Sequence, residues 1–347
     1  MTSDSGLKKF TLKNISGLLF TFGITAAFVY IAFRGIDLSR LLDDMKSVSL
    51  MWIAIYLFLN ILAHYVRAVR WKVILNTIKP ETSSINLFNS LMIGYGMNNF
   101  IPRLGEISRA VSLGYLEQIS RTAVLGTIVV ERILDIILFG AAVLISLIIY
   151  NGNIAVTFPW INSLLITGSL FIGSFIAVIF FLARYKETYI KKIFPGKLGI
   201  RITELFVKLI TGLSSLRGTK NYIYTAITSV AIMGLYALTS YAGFYAMDLT
   251  IDGNNFYMAW VVMSIGAIGV MIPTPGGIGS YHTITKSILV LLYGIDPVKA
   301  LAYATLTHAI SFIIQIILAV AAFIHIGHRD KSFKFSNLLS ANMNNSQ

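Results

Sequence analysis

The stretch Ile272-Pro273-Thr274-Pro275-Gly276-Gly277-Ile278-Gly279-Ser280 cuts an apolar block, residues 257–293, near its middle. Two prolines in three residues forbid regular helix, and the glycines permit positive φ and close backbone approach. Each arm of the block is about 15 residues, or roughly 22 Å of helix. That falls short of a hydrocarbon core about 30 Å thick. The block is therefore expected to enter a membrane and return as a re-entrant hairpin. Irregular backbone at that depth survives only inside protein or beside a wet cavity. The break is thus also a candidate binding site, because its free N–H groups suit an anion. A nucleotide P-loop is excluded, since no Gly-Lys-Ser/Thr follows at the required spacing.

The rest of the 347-residue chain supports a membrane setting. It is 56 % hydrophobic and only 12 % charged, against about 25 % charged in an average soluble domain. With a mean hydropathy of +0.75, a soluble globular enzyme is excluded. Continuous apolar blocks, rather than alternating ones, argue against a transmembrane barrel. Six blocks are long enough to span: 14–33, 50–70, 121–150, 160–183, 222–247 and 300–326. The first follows Lys8, Lys9 and Lys13 and reads as an uncleaved span rather than a secretory signal. A second short block, 86–101, stops at Pro102.

Basic residues set the expected orientation. Of the 28 Lys and Arg, 22 lie in 1–13, 67–82, 103–121, 184–221 and 328–347. Four lie in 34–49, 151–159, 248–256 and 294–299. The positive-inside rule puts the first group, and both termini, in the cytoplasm of a plasma-membrane protein. It also puts 67–82 and 103–121 on one side, so 86–101 must enter and return. The expected fold is all-α: a polytopic helical bundle of six full spans and two re-entrant helical hairpins. The order span, span, hairpin, span occurs twice with opposite orientation, which is an inverted repeat. Its halves are 14–150 and 160–326 of a single membrane domain, 1–347, with 327–347 a disordered cytoplasmic tail. A sequence echo accompanies it: Ile93-Gly94 precedes Ile101-Pro102, and Ile265-Gly266 precedes Ile272-Pro273. Within 184–221, apolar residues from Ile202 to Leu216 recur at helical spacing, as in an amphipathic helix on the cytoplasmic leaflet.

The net charge of +13 is explained by this topology, so no nucleic-acid partner is expected. With no cysteine, disulfides, thiolate metal sites and cysteine nucleophiles are excluded. The five histidines form no HExxH pair, so no metal, cofactor or catalytic residue is assigned.

Three polar segments carry the candidate chemistry. Asn99, Arg103, Glu106 and Arg109 flank Pro102. A helix starting at Leu104 or Gly105 would offer free N–H groups at membrane depth. Arg103 and Arg109 suit phosphate, and Glu106 is three residues from Arg109 and placed to hold it. Glu131, Arg132 and Asp135 sit inside an apolar block. Each such charge costs about 2.5–3.5 kcal/mol at a span centre, so pairing inside the protein is expected. The third segment is the break itself, with Pro275, Gly276, Gly277, Gly279 and His282. His64, His308, Lys286 and Gln315 read as interhelical hydrogen bonders. Trp52, Trp71 and Trp160 read as interfacial anchors.

In this order, Pro102-x-x-Gly105-Glu106-x-x-Arg109, Glu131-Arg132-x-x-Asp135 and Pro273-x-Pro275-Gly276-Gly277-x-Gly279 resemble the transmembrane region of the lysylphosphatidylglycerol synthase family. The likeness covers about residues 14–326. It implies a flippase-like domain that moves aminoacylated phospholipid between leaflets or works near polyprenyl-phosphate sugars. By resemblance, Arg103, Glu106, Arg109, Glu131, Arg132, Asp135 and Pro275 to Gly279 match the family pattern. The family often has a Glu shortly after the Gly-Gly pair, where this chain has His282. The large soluble aminoacyl-transfer domain of the full synthases is not expected, so neither is aminoacyl transfer. The leading expectation is a phospholipid translocase, with a homo-oligomer or a lipid-modifying enzyme as further partners. The alternatives are a proton-coupled solute transporter using Glu131 or His282, an accessory subunit docking through 184–221, and an enzyme acting on lipid phosphate.

Overall fold

The computed structural model of the chain describes residues 12–76, 78–150, 154–184, 219–249, 255–329 and 333. The amphipathic element expected within 184–221 lies outside them, as does the tail beyond Arg329 apart from Phe333. The described residues are helical, with no strand among them. In chain order the helices are α1 (Leu12–Phe33), α2 (Leu38–Lys46), α3 (Leu50–Leu75), α4 (Ser84–Phe100), α5 (Leu104–Glu117), α6 (Arg121–Ile149), α7 (Ile154–Thr157), α8 (Trp160–Arg184), α9 (Thr219–Ala246), α10 (Asn255–Met271), α11 (Ser280–Tyr293) and α12 (Pro297–Arg329).

Four helices are long and apolar enough to cross a membrane: α3, α6, α9 and α12. A fifth span is reached only if α1 and α2 count together across an 83° bend. In α8 the stretch Trp160–Leu170 is a shorter apolar helix. Large apolar side chains point outward along these helices, Leu50, Ile148 and Val230 among them at 70 % exposure or more. A soluble fold would bury such a surface; hydrocarbon accommodates it.

Both proline breaks separate antiparallel helix pairs. In the first, Ile101, Pro102 and Arg103 join α4 to α5. Asn86 donates to Glu117 at one end, at 2.8 Å, and Asn98 accepts from the Gly105 N–H at the other, at 2.7 Å. The carbonyl of Gly94 lies so near Gly105 that a β-carbon there would stand 2.1 Å from it. Glycine at this position is a requirement of close helix contact. Glu117 closes the base of the pair. Burial raises its carboxyl pKa, but hydrogen bonds from Lys79, Asn86 and Ser83 outweigh that and hold it below the usual value.

In the second pair, Ser280 Oγ donates to the Gly269 carbonyl at 2.7 Å and meets Thr274 Oγ1 at 2.9 Å. Gly276, Gly277 and Gly279 all take positive φ, at 58°, 78° and 81°. The break therefore needs glycine at three positions, each with a positive φ that other residues adopt only with strain.

Each pair leans on a long helix distant from it in sequence. The first packs on α12, where a β-carbon at Gly96 would stand 2.5 Å from Ala319 Cβ. The second packs on α6, where Ser264 and Ser146 share a hydrogen bond of 2.7 Å. The two breaks meet. A β-carbon at Gly276 would stand 2.8 Å from Phe312 Cε2 and 3.2 Å from Asn99 Oδ1. The apolar clusters sit on either side of this junction, one around Leu87, Leu91 and Ile128, the other around Ile161, Ile265 and Leu301. Phe333 joins the first, packed on Tyr115 and Phe323, and α12 itself runs to Arg329.

Candidate functional site

Polar residues on α3 recur at Tyr56, Asn60, His64 and Arg67, spacings of four, four and three. These put all four on one face of the helix. Arg70 and Trp71 extend that face by a turn, and every member of the stripe is buried. A buried stripe of this length needs partners, because unpaired polar groups away from water are costly. The partners come from four other helices, with Tyr56 and Asn60 bonding to Ser311 on α12 and Arg67, Arg70 and Trp71 meeting α5, α6 and α9.

Glu131 and Asp135 on α6, one turn apart, face α3. Arg67 Nε donates to Glu131 Oε1 at 2.7 Å, and Arg109 Nη2, from α5, donates to Glu131 Oε2 at 2.6 Å. Arg67 and Arg70 both donate to Asp135. From α9, Tyr236 Oη accepts from Arg67 at 3.2 Å and Ser229 Oγ accepts from Arg70 at 3.3 Å. The Arg109 guanidinium lies over the Trp71 ring, 3.9 Å from its centroid. Such a desolvated cation–π contact contributes about 2 kcal/mol. Trp71 Nε1 in turn donates to Thr127 Oγ1 at 3.0 Å. Three buried guanidiniums thus share two buried carboxylates. At the rim, Arg132 Nη2 donates to Glu106 Oε1 at 2.9 Å, and Nη1 lies 3.7 Å from Asp135 Oδ2.

The sequence reading is corrected at three points. Glu106 does not hold Arg109; it holds Arg132, and Arg109 goes to Glu131. Trp71 is no interfacial anchor, being fully buried beneath Arg109. Arg67 and Arg70 are not loop charges, since α3 carries both through the core to Leu75. The signal that would have found them is the stripe itself, a 3–4 spacing of polar residues along an otherwise apolar span.

Above the ion network lies a cavity of about 570 Å³ between the two breaks. Of the expected site residues, Asn99, Arg103, Glu106, Arg132, Asp135, Gly276 and Gly277 line it. Glu131 and Arg109 stand one layer behind. Pro275, Gly279 and His282 do not reach it. The His282 ring packs 4.8 Å from that of His308, which does line the cavity and lies 2.8 Å, through Nε2, from the Gly276 carbonyl. His64 and Gln315 also line it, whereas Lys286 ties α11 to α1 through the Ala32 carbonyl at 2.5 Å. Arg103 is exposed at the cavity mouth, held at φ 68° by the turn into α5. Around the cavity and its base, five guanidiniums (Arg67, Arg70, Arg103, Arg109 and Arg132) face three carboxylates (Glu106, Glu131 and Asp135). The arrangement favours an anion. Among the described residues no group of three His, Asp or Glu is placed to hold a metal.

Comparison with known proteins agrees with this picture. The family model described as the lysylphosphatidylglycerol synthase TM region matches residues 15–319. The chain belongs to this family. It is 22 % identical to a UPF0104 membrane protein of Pyrococcus horikoshii over 87 % of its own length and 94 % of that protein's. It is likewise 22 % identical to one of Methanothermobacter thermautotrophicus, over 91 % and 97 %. A third, from Methanocaldococcus jannaschii, is 25 % identical over 49 % of the chain, which spans half the length of that relative. No solved structure matches the chain. As a member of the lysylphosphatidylglycerol synthase TM region family, it is a multi-pass helical membrane protein. Of the residues in the three motifs, Pro102, Arg103, Glu106, Arg132, Asp135, Pro273, Thr274, Gly276 and Gly277 line the cavity.

Proposed function

We propose that the protein is a lipid translocase, moving an anionic or aminoacylated phospholipid, or a polyprenyl-phosphate lipid, between leaflets. One observation carries the reading: a net-cationic cavity sits between two broken helix pairs, inside a bundle whose outer surface is apolar. A head group held there would leave its acyl chains in the bilayer. The pairs α4–α5 and α10–α11 serve as the two re-entrant hairpins, flanked by six spans with α1 and α8 completing the set. The packing of each pair on the other half's last helix supports an inverted repeat, and rocking of one half on the other gives alternating access. The charge distribution supports cytoplasmic termini and a plasma-membrane setting. A homo-oligomer or a lipid-modifying enzyme is the further partner this reading admits.

The test is leaflet exchange of fluorescent phosphatidylglycerol and phosphatidylethanolamine in proteoliposomes, read by dithionite quenching. Arg103→Asn is the variant of choice. Arg103 is exposed, so the fold does not rest on it, and asparagine tolerates its left-handed backbone. Losing one charge-assisted hydrogen bond to phosphate is expected to slow exchange of the anionic lipid about tenfold or more. Equal rates for variant and wild type would remove the head-group assignment. Uptake of a small anion by vesicles that exchange no lipid would replace translocation with solute transport.

A further inference from the structure

The cavity has two unlike ends. At one, Arg103 has no partner among the described residues, Arg132 is half-buried, and Arg67 spends three of its five N–H donors, leaving two. At the other, one to two turns along the same face of α3, stand His64 and Asn60, exposed by only 4 % and 8 %. Both line the cavity. Asn60 Nδ2 donates to Ser311 Oγ at 3.3 Å, but Asn60 Oδ1 is buried with no partner, and so are both ring nitrogens of His64. These three buried polar atoms stand together on one wall of one cavity, where leaving them unsatisfied is costly. They imply a ligand that supplies both donors and acceptors.

We infer that the cavity is a two-part site for a phosphate ester with a hydroxyl-bearing head, its phosphate among Arg67, Arg103 and Arg132 and its hydroxyls on Asn60 and His64. A hydroxyl donates to Asn60 Oδ1, and it meets either tautomer of His64 as donor or acceptor. Asn60 and Arg67 are seven residues apart, roughly 10 Å along the axis, which suits a short polyol or one sugar beyond a phosphate. An ammonium head fits poorly. The carboxylates lining the cavity are Glu106 and Asp135, and each already carries an arginine. A cation at Asn60 would face no free acid and would lie close to the Arg67 charge. The inference deepens the translocase reading by naming the head-group class, and it separates this chain from carriers of aminoacylated, cationic heads.

The test is binding to the full chain in lipid nanodiscs, by displacement of a fluorescent phosphatidylglycerol. Four probes are compared: phosphatidylglycerol, phosphatidylmethanol, lysyl-phosphatidylglycerol and soluble glycerophosphoglycerol. Phosphatidylmethanol keeps the phosphodiester charge and lacks the hydroxyls. Two hydrogen bonds are worth about tenfold in affinity, so the wild type should prefer phosphatidylglycerol over phosphatidylmethanol by that factor. Asn60→Leu, which removes one of the two hydrogen-bonding groups, should cut the preference to about threefold. Lysyl-phosphatidylglycerol should bind at least tenfold more weakly than phosphatidylglycerol. Equal wild-type affinity for the glycerol and methanol lipids, or tighter binding of the lysyl lipid, overturns the inference. The wild-type comparison decides even where the variant does not fold. If glycerophosphoglycerol binds as tightly as the lipid, or selective binding occurs without leaflet exchange, the two-part site stands and the translocase reading falls.

Discussion

Glu131→Gln is expected to destabilise the protein by about 3–5 kcal/mol, the range for breaking a buried ion pair from one side. The side chain is fully buried, and its two oxygens each hold a different guanidinium, from α3 and from α5. Glutamine keeps the shape and removes the charge. Among the described residues, Arg109 then loses its one ionic partner while still buried over Trp71, and Arg67 keeps Asp135 as its one carboxylate. The carboxylate also joins three elements, so its loss loosens the first helix pair from α3 and α6 together. Thermal unfolding in detergent micelles should show a large fall in the midpoint. The double variant Glu131→Gln with Arg109→Met should recover part of it, because the orphaned charge goes with its partner. A midpoint for Glu131→Gln within a degree or two of wild type would mean that this network does not hold the helices together.

Much of this arrangement was legible in sequence because it rests on residues that are conspicuous in an apolar chain. Pro102 and Pro273 end helices wherever they stand, and the structure ends α4 and α10 within two residues of them. Glu131 and Asp135 are costly in a span, so their pairing could be expected from energy alone. Partner choice was less legible. Glu106 and Arg109 satisfy a helix-local spacing worth only about 0.2–0.5 kcal/mol. A fully buried carboxylate on another helix outbids it, and nothing in the spacing reveals that helix. Arg67 and Arg70 misled for a related reason. Basic residues near the end of an apolar run look the same whether they face head groups or a carboxylate, and only the fold tells which. The cavity was the least legible, since its walls come from α3, α6, both broken pairs, α9 and α12, and its unpaired atoms on Asn60 and His64 are visible only after packing.

Gly105→Ala is expected to be the most damaging small substitution in the first helix pair, at about 3 kcal/mol, the top of the usual range for overpacking. The added carbon would stand 2.1 Å from the Gly94 carbonyl and 2.5 Å from Asn98 Cγ. The first neighbour is helix backbone, which cannot step aside alone. The second is the side chain whose Oδ1 accepts from the Gly105 N–H and so caps α5. Relieving the clash therefore spreads α4 from α5 and uncaps α5, and losing the cap costs about 1 kcal/mol more. Asn98, Pro102 and Arg103 line the cavity at this point, so the opening reaches the proposed head-group site. Gly140→Ala is the matched control. No atom lies within 4 Å of its β-carbon position, and alanine in a helix interior is favoured by up to about 1 kcal/mol. Unfolding midpoints in the same detergent, with leaflet exchange per folded molecule, should separate the two: a lower midpoint and slower exchange for Gly105→Ala, neither for Gly140→Ala. Indistinguishable variants would contradict the close contact of α4 and α5. A lower midpoint with unchanged exchange would uphold the contact and detach it from transport, because a pair that can spread without affecting exchange does not shape the path the head group takes.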